Sequence, residues 1–406
     1  MKICFLNMPI EYYSPISGGA ISTIIAHQAR HLIERNHDVT IVTPVNDKPV
    51  YDIGKIVPIA TGRKENLSFA KRAAYRVTYK LRRWDWPYFE VYLNSAMNAL
   101  KSLSPTPEVV VVHNDLRLPR HIKRVLPGAR VVVVLQNEVR TRQTPAEVQD
   151  IVDSVHRFVC CSGYIKDWTR KAYGIPEEKM VVNLNGVDTS AYVPRADYLE
   201  PTSPLKVLFM GRFDPNKGPD LAADAVATLR SEGLPVELAV AGAKWWYQDG
   251  TDSDPYLKEL SASLERAEAN VLGLVPRADL PGVVRGYDVV VVPSRSQEPC
   301  TLTAMEGMSS GCAVIASRRG GLPEMCGGNA MLFDPDEPGA LADCLRTLAT
   351  DQGALRRWKQ VAREYAFSKD WRYNTQVLAR AMDTVQPSEV AVPAAASGSE
   401  EVAAVA

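Results

Sequence analysis

The chain has 406 residues, 46% of them hydrophobic and 23% charged, and its 47 basic and 47 acidic side chains give a net charge of zero. This composition is that of a soluble globular protein, and the length exceeds what one ordinary hydrophobic core accommodates, so two domains are expected. The balanced charge argues against a general electrostatic attraction to nucleic acid.

Short apolar runs rich in β-branched residues recur along the chain, and segments long enough for a helix separate them. Such runs, apolar on both faces, are typical of parallel strands covered by helices, and the alternation predicts an α/β fold of doubly wound sheets. In the first half the predicted strands are Ile3–Leu6, Val39–Thr43, Val109–Val112, Val131–Leu135, Phe158–Cys161 and Met180–Leu184. In the second half they are Val207–Met210, Leu238–Ala241, Val271–Leu274, Val289–Val292, Ala313–Ala316 and Met331–Phe333. We therefore expect two Rossmann-like domains facing a central cleft, with ligands at the carboxyl ends of the strands.

A stretch rich in proline and polar residues predicts the boundary between the domains. We place the first domain at residues 1–190, a linker at 191–204 and the second domain at 205–370. A helix at 371–385 could dock back onto the first domain, which the sequence leaves open. Residues 386–406 combine Pro, Ala, Ser, Glu and Val without helical periodicity and predict a disordered tail.

One segment of the first half, residues 63–86, departs from the strand–helix pattern. It contains eight Lys and Arg side chains against Glu65 and Asp85, with Tyr and Trp residues interleaved. Two interpretations remain open: a patch for a membrane surface or an anionic acceptor, or a solvated basic face whose aromatic residues pack inward. The pattern favours the solvated face.

Cysteine use bears on the cellular compartment. The seven cysteines have no CxxC spacing and no histidines at zinc-site spacing, so we expect reduced thiols in a cytoplasmic protein. The apolar run at the N-terminus is too short for a signal peptide, and no run reaches the ~18 apolar residues of a membrane helix. Peripheral contact with the inner face of the membrane through the basic segment stays open.

In the first domain, candidate ligand groups follow the predicted strands. Gly18 and Gly19 lie between the first strand and a helix, where they would let the backbone approach a phosphate or sugar, although a plain turn explains them equally well. The pattern is not GxGxxG and gives little support to a dinucleotide oxidoreductase. At later strand ends, His113 could hydrogen-bond a sugar, with Asp115 as a weaker candidate. Asn137 and Glu138 could meet an acceptor.

The second domain opens with Met210-Gly-Arg-Phe-Asp-Pro-Asn-Lys-Gly218, a strand end followed by a loop. Arg212 and Lys217 in this loop suit a diphosphate, since Arg binds it as a bidentate fork and Lys as a point charge. Such cations would stabilise the charge that develops on a leaving diphosphate without a metal ion. The alternative is a pair of surface charges in a turn.

The most informative stretch is Ser296-Gln-Glu-Pro-Cys-Thr-Leu-Thr-Ala-Met-Glu-Gly-Met-Ser-Ser-Gly311, which lies between two strand-like runs. Its carboxylates Glu298 and Glu306 are eight positions apart, about 12 Å along a helix, so they cannot act on one atom together. They can hold opposite ends of an elongated ligand whose phosphates lie at the helix N-terminus. A sugar joined to a nucleoside through a diphosphate has that length and charge.

These pieces, in this order, resemble the retaining glycosyltransferases of family four, which have the GT-B fold. The resemblance covers about residues 1–385. Its specific part is the family motif Glu-Pro-Phe-Gly-Leu, three variable residues, then Glu-Ala-Met-Ala-x-Gly. This chain matches it from Glu298-Pro299 through Leu302 to Glu306 and Gly311.

The resemblance implies a role for each matching residue. Glu298 would bind hydroxyls of the donor sugar and Glu306 the ribose hydroxyls, while the first domain would bind the acceptor. The groups implied at the donor diphosphate are the backbone amides of Leu302 and Thr303, the side chains of Arg212 and Lys217, and Gly18 and Gly19 from the first domain. His113 would contact the donor sugar.

The chain departs from the family motif at two places. Cys300-Thr301 replaces Phe-Gly, so a side chain stands where the family usually has glycine, which leaves the identity of the sugar open. Gly307 replaces Ala, and we expect it to loosen the helix slightly.

The expected reaction is transfer of a hexosyl group from a nucleotide-diphosphate sugar to an acceptor hydroxyl, with retention. Family frequency favours UDP, with GDP and ADP still open. Double displacement would need a carboxylate nucleophile. No secure candidate exists, so we favour front-face departure in which the leaving phosphate oxygen takes the acceptor proton. No Asp-x-Asp motif is placed convincingly, so neither a divalent metal nor a cofactor is expected.

Three alternatives remain open: a nucleotide-sugar epimerase or hydrolase, a synthase that uses a sugar phosphate as acceptor, and a non-catalytic nucleotide-sugar binding protein. The acceptor itself is undetermined, since a lipid-linked or cell-envelope molecule, a polysaccharide and a small natural product all fit the sequence.

Overall fold

The computed structural model describes residues 1–16, 19–45, 47–61, 87–140, 143–243 and 254–383. Within these ranges the chain forms two parallel β-sheets, each in a domain of its own and each covered by helices. The basic segment 63–86 and the tail 386–406 lie outside the described residues. No helix in the described ranges is long and apolar enough to cross a membrane.

The first domain is built on seven strands. These are β1 (Lys2–Leu6), β2 (Asp38–Pro44), β3 (Lys55–Ile59), β4 (Val109–His113), β5 (Arg130–Leu135), β6 (Arg157–Cys160) and β7 (Met180–Val182). They are all parallel, in the order β3-β2-β1-β4-β5-β6-β7. The helices are α1 (Ala20–Glu34), α2 (Pro87–Ser102), α3 (Leu118–Val125), α4 (Pro145–Ser154) and α5 (Gly163–Tyr173), with a 3-10 turn at Glu177–Lys179.

The second domain repeats this plan with six strands. These are β8 (Leu205–Met210), β9 (Val236–Ala241), β10 (Asn270–Gly273), β11 (Val289–Val292), β12 (Ala313–Ser317) and β13 (Met331–Phe333). Their order is β10-β9-β8-β11-β12-β13, again parallel. The helices are α6 (Pro219–Ser231), α7 (Pro255–Arg266), α8 (Leu280–Val284), α9 (Leu302–Ser309), α10 (Leu322–Cys326), α11 (Ala340–Thr350), α12 (Gln352–Phe367) and α13 (Trp371–Met382).

Burial on both faces of the central strands explains why the apolar runs form parallel sheets. In β4, Val110 and Val112 join the core under one set of helices, while Val109 and Val111 join the core on the opposite face. All four valines are 0% exposed. The predicted fold class is therefore confirmed at its most diagnostic strand.

The sequence analysis missed one strand, β3. Its sequence Lys55-Ile-Val-Pro-Ile59 contains a proline and a lysine, and its side chains are mostly exposed or half-buried. It lies at the edge of the first sheet, where a strand pairs on one side only and where proline is tolerated because its missing N–H faces away from the ladder. Because the side chains of β3 are only partly buried, its sequence lacks the continuous apolar run that identifies the central strands.

The final helix, α13, packs on the first domain although it follows the second. Leu378, Ala381 and Met382 share a core with Ile25 and Ala29 of α1. In the polar part of the junction, Gln28 Nε2 donates to Asn374 Oδ1 at 2.9 Å. The chain thus crosses between the domains twice, and the crossings touch where Val187 forms a β-bridge with Asp370.

Both sheets reverse their strand order at one point, between β1 and β4 in the first domain and between β8 and β11 in the second. A crevice opens outside the carboxyl ends of the strands at such a point. Loops 211–218 and 293–301 follow β8 and β11 and so lie at the crevice of the second domain.

Candidate functional site

Glu298 lies in the loop between β11 and α9 and is 5% exposed. Its Oε1 accepts hydrogen bonds from Lys217 Nζ at 2.5 Å and from Ser294 Oγ at 2.8 Å. The ammonium predicted to hold a diphosphate and the carboxylate predicted to hold a sugar thus form an ion pair here. A buried charge needs such a partner, and Lys217 supplies it from the neighbouring loop.

The close contact between these two loops depends on Gly218. Its φ is +68°, in the left-handed region, and a Cβ at this position would lie 2.2 Å from the Pro293 carbonyl oxygen. Glycine is therefore required on both counts. The approach is tied further by the Arg295 N–H, which donates to the Asn216 carbonyl oxygen at 2.9 Å. This brings Lys217 to the side chain of Glu298.

The backbone of Glu298 is held from the other side by the turn that precedes α10. The Gly321 N–H donates to the Glu298 carbonyl oxygen at 2.6 Å. Gly320 has φ +56°, and a Cβ there would lie 2.2 Å from the same oxygen. The carboxylate-bearing loop is therefore packed between two glycine-dependent contacts, which fix its position.

The N-terminus of α9 has the form of an anion site. Thr301, in extended conformation before the helix, makes no side-chain capping hydrogen bond. The first-turn N–H groups of any helix lack intrahelical partners and carry partial positive charge. Leu302 is 9% exposed and shares a small core with Ile24 and Trp371, so this helix start borders the first domain and α13.

Glu306, on the second turn of α9, is 5% exposed and accepts a hydrogen bond from Arg277 Nη2 at 2.7 Å. Burial alone would lower the pKa of Arg277, but the Glu306 carboxylate outweighs it and the pKa is raised. Tyr192 lies beside the pair: burial first, and then Glu306, raise the pKa of its hydroxyl. Each buried carboxylate of the motif thus faces one cation.

The sequence analysis missed Arg277 and Tyr192 as neighbours of Glu306. Arg277 directly follows Val275-Pro276 after β10, at the carboxyl edge where ligand groups are expected, and this position was the available signal. Tyr192 falls at the start of the predicted linker, where no signal pointed to a site.

Arg212 follows β8 and lies 3.4 Å from Asp214 through its Nε. Its side chain is 46% exposed, in contrast to the half-buried Lys217. The two cations predicted for one diphosphate are therefore in different surroundings: Lys217 pairs with Glu298 of the carboxylate motif, and Arg212 pairs with Asp214.

His113 ends β4 with its imidazole 1% exposed and 6.2 Å from the ring of Phe5. Neither ring nitrogen has a hydrogen-bond partner among the described residues. Burial lowers the pKa to about 3, so the ring is neutral at physiological pH. An uncharged, unsatisfied imidazole at a strand's carboxyl end is suited to a hydroxyl group.

The glycine turn of the first domain is described in part, because Gly18 lies outside the described residues. Gly19 precedes α1 in extended conformation. A Cβ on it would lie 2.5 Å from Glu11 Oε1, and Glu11 also accepts the Ser22 N–H at 3.1 Å. A carboxylate from the chain thus reaches the start of α1, which the sequence analysis did not anticipate.

The candidate acceptor contacts of the first domain have local partners. Asp115 is 4% exposed and pairs with Arg117 at 2.7 Å, so its carboxylate serves the loop that carries it. Hydrogen bonds from Tyr164 and Arg140 lower the pKa of Glu138. Asn137 is exposed.

The two departures from the family motif have distinct surroundings. Cys300 Sγ accepts the Asn185 N–H at 3.4 Å, and Cys300 packs against the cores of both domains. Thr301 is half-buried at the start of α9, as is Thr303 two residues later. A Cβ on Gly307 would lie 2.8 Å from Val290, so the expectation of a loosened helix is incomplete: this glycine lets α9 pack closely on β11.

Across the parts of the chain that the structure describes, no three His, Cys, Asp or Glu side chains converge in a way that could hold a metal ion.

Comparison with known proteins finds a family model that matches each of the two domains. Residues 194–365 match the family model described as "Glycosyl transferases group 1", and residues 18–191 match the one described as "Glycosyltransferase Family 4". The D-inositol 3-phosphate glycosyltransferase of Corynebacterium glutamicum is 33% identical over 214 residues, which cover 49% of this chain and 50% of that protein. Spore coat protein SA of Bacillus subtilis is 27% identical over 266 residues, covering 61% of this chain and 70% of that protein. The chain thus spans between half and about two thirds of the length of these curated relatives.

Solved structures extend the likeness to nearly the whole chain. HepE of Anabaena, crystallised in complex with UDP, superposes with a TM-score of 0.68 at 18% identity, covering 95% of this chain and 100% of that one. Together with the two parallel-sheet domains, this likeness confirms the predicted GT-B fold.

Proposed function

We propose, on the premise that the chain belongs to the group 1 glycosyltransferases, that it transfers a hexosyl group from a UDP-sugar to an acceptor hydroxyl with retention. The observation that carries the proposal is the pair of buried carboxylates, Glu298 and Glu306, on either side of the α9 N-terminus. Each is held by one cation, and together they match a donor with hydroxyl groups at both ends and a diphosphate between.

The roles follow from the chemistry of each group. Glu298, paired with Lys217, accepts hydrogen bonds from hydroxyls of the donor sugar, and Glu306 accepts them from the ribose. An ammonium has three donors, of which Lys217 uses one on Glu298, so it can also bind a phosphate oxygen. The amides of Leu302 and Thr303 and the Arg212 side chain complete the diphosphate site.

The first domain contributes the neutral imidazole of His113 as a hydrogen-bonding group for the sugar. Lys217 and Ser294 hold Glu298 in place through its Oε1, so we assign its carboxylate to binding sugar hydroxyls and not to nucleophilic attack. Retention then proceeds on one face of the sugar, with the leaving phosphate oxygen taking the acceptor proton. Lys217 and the helix amides offset the charge on the leaving diphosphate, so no divalent metal is required.

UDP is proposed as the nucleotide partly because HepE of Anabaena was crystallised with UDP and with UDP-glucose. Thermal unfolding with UDP, GDP and ADP tests this. A ligand at 100 times its dissociation constant stabilises a protein by about 2.7 kcal/mol. UDP should stabilise the wild type by this amount and Glu306→Ala by much less.

The matched control is Glu298→Ala, which removes the other carboxylate of the motif. It should keep the stabilisation by UDP and lose the additional stabilisation by a UDP-sugar. Equal stabilisation of all three proteins by UDP would contradict the ribose role of Glu306. Stabilisation by none of the nucleotides or nucleotide sugars would contradict the proposed function.

A further inference from the structure

The two domains contact one another at the start of α5, next to the loop that carries Glu298. The Ser162 hydroxyl of the first domain donates to the Pro299 carbonyl oxygen of the second at 2.7 Å. The neighbouring Gly163 N–H donates to the Glu324 carboxylate at 2.5 Å, and the Tyr164 N–H donates to the same carboxylate. A carboxylate of the second domain therefore lies at a helix N-terminus of the first.

This contact completes the capping of α5. The first turn of a helix has N–H groups without intrahelical partners. Ser162 serves one of them, since its hydroxyl oxygen accepts the Ile165 N–H at 3.3 Å. Glu324 accepts hydrogen bonds from the two preceding N–H groups, those of Gly163 and Tyr164, and the helix dipole favours a negative charge at this position. The hydrogen bonds of α5 are thus shared between its own domain and the opposite one.

On the second-domain side, Glu324 is joined to Glu298 by a short and constrained path. Glu324 belongs to α10, which the Gly320-Gly321 turn precedes. This is the turn whose Gly321 N–H binds the Glu298 carbonyl oxygen at 2.6 Å, and a Cβ on Gly320 would clash with that oxygen. Movement of Glu324 relative to α5 is therefore transmitted to the backbone of Glu298.

We propose that Glu324 is a positioning residue for the transfer reaction: by capping α5 across the cleft, it holds the two domains in contact and fixes the position of the Glu298 loop for the donor sugar. Its catalytic consequence rests on the proposed function, whereas the capping contact does not. Glu324 itself touches neither donor nor acceptor in this scheme and acts through Glu298.

Hydrogen–deuterium exchange tests the contact without any substrate. In Glu324→Ala the amides of Gly163 and Tyr164 should exchange faster, while that of Ile165, which Ser162 caps, should change less. Glu337→Ala removes the same charge from an exposed position of the same domain and serves as the matched control. Unchanged exchange at Gly163 and Tyr164 in Glu324→Ala would overturn the proposal.

Kinetics then separate a positioning role from a merely structural one. Glu324→Ala should lower kcat about tenfold, the effect of losing one charged cap from the reactive arrangement. UDP-induced stabilisation should stay at the wild-type value, because the nucleotide groups lie on the second domain. Glu324→Gln should recover part of kcat, since its carbonyl oxygen still accepts an N–H. Faster exchange with wild-type kcat would refute the positioning role. Absence of transfer by the wild type would refute the proposed function, with the exchange result still deciding the contact.

Discussion

Replacing Lys359 by methionine perturbs a buried ion pair in the second domain. Lys359 is 1% exposed and Asp288 0%, and Lys359 Nζ lies 2.7 Å from Asp288 Oδ1. The same ammonium donates to the Tyr198 carbonyl oxygen at 3.0 Å. Asp288 directly precedes β11 and so lies at the opposite end of this strand from Glu298, which makes the pair a test of the fold of the second domain.

The loss of stability in Lys359→Met depends on the hydrogen bonds that Asp288 retains. Removing one partner of a buried ion pair costs about 3–5 kcal/mol, because the other charge stays buried. Asp288 keeps its hydrogen bonds from Arg195 Nη2 at 2.8 Å and from the Lys206 N–H at 3.0 Å, which places the loss of stability near the lower end, about 3 kcal/mol. For a domain of this size, that corresponds to a fall in melting temperature of roughly 6–12 °C.

The assay is urea and thermal unfolding of the wild type, Lys359→Met and a control. Arg357→Met suits as control because it replaces an exposed cation on the same helix, α12, and should change the free energy of unfolding by less than about 0.5 kcal/mol. A loss below about 1 kcal/mol in Lys359→Met would refute the argument.

The pH dependence gives a second check on the same pair. Burial alone would raise the pKa of Asp288, but the hydrogen bond and charge of Lys359 outweigh it and hold the pKa below its ordinary value of 3.8. A carboxylate with a lowered folded pKa adds stability above its unfolded pKa, and this stability is lost as the pH falls through the folded pKa. Lys359→Met should therefore lose less stability than the wild type as the pH falls below about 4.

Three further predictions concern the site. Burial lowers the pKa of His113 from 6.5 to about 3, so as the pH falls its imidazole is protonated in the unfolded chain before the folded one. The free energy of unfolding should therefore fall by up to roughly 5 kcal/mol between these pH values. In urea titrations at a series of pH values, His113→Gln should show a flatter dependence of this free energy on pH. An unchanged profile would contradict this. Gly218→Ala should lower the free energy of unfolding in urea by about 2–3 kcal/mol, because the new Cβ would clash with Pro293. Its control is Gly233→Ala, where φ is +80° but no atom lies within 4 Å of the new Cβ, and the loss should be about 1 kcal/mol. Equal losses would contradict the close approach of Gly218 to Pro293. Lys217→Ala should reduce UDP-induced stabilisation, and a wild-type shift would show that its ammonium does not bind the diphosphate.

The sequence predicted the strands wherever the chain is buried on both faces, and β3 shows the limit of this signal. Runs such as Val109–Val112 are apolar at every position because helices cover both sides of the sheet. The edge strand β3 does not have to be apolar on both faces, and its Pro58 and Lys55 interrupt the apolar pattern from which a strand is predicted. Local pattern therefore identifies the interior of a sheet better than its border.

For the site, the sequence selected Glu298 and Glu306 by motif and Lys217 by its place after a strand. It did not predict that Lys217 and Glu298, 81 residues apart, would pair with each other. Nor did it predict the partner of Glu306, because Arg277 shares only its position near a strand end with the other site residues. Spacing along the chain shows which residues reach one edge of the sheet, not which of them touch.

The sequence by itself determined the alternation of strands and helices, the two-domain plan and the carboxylate motif, because hydrophobic periodicity and turn chemistry act over a few neighbouring residues. The tertiary structure alone decided which charges neutralise one another and how the domains meet. Glu324 caps a helix whose first residue lies 161 positions earlier. That contact exists because two separately folded sheets bring their carboxyl edges to one cleft, which no local pattern in the chain encodes.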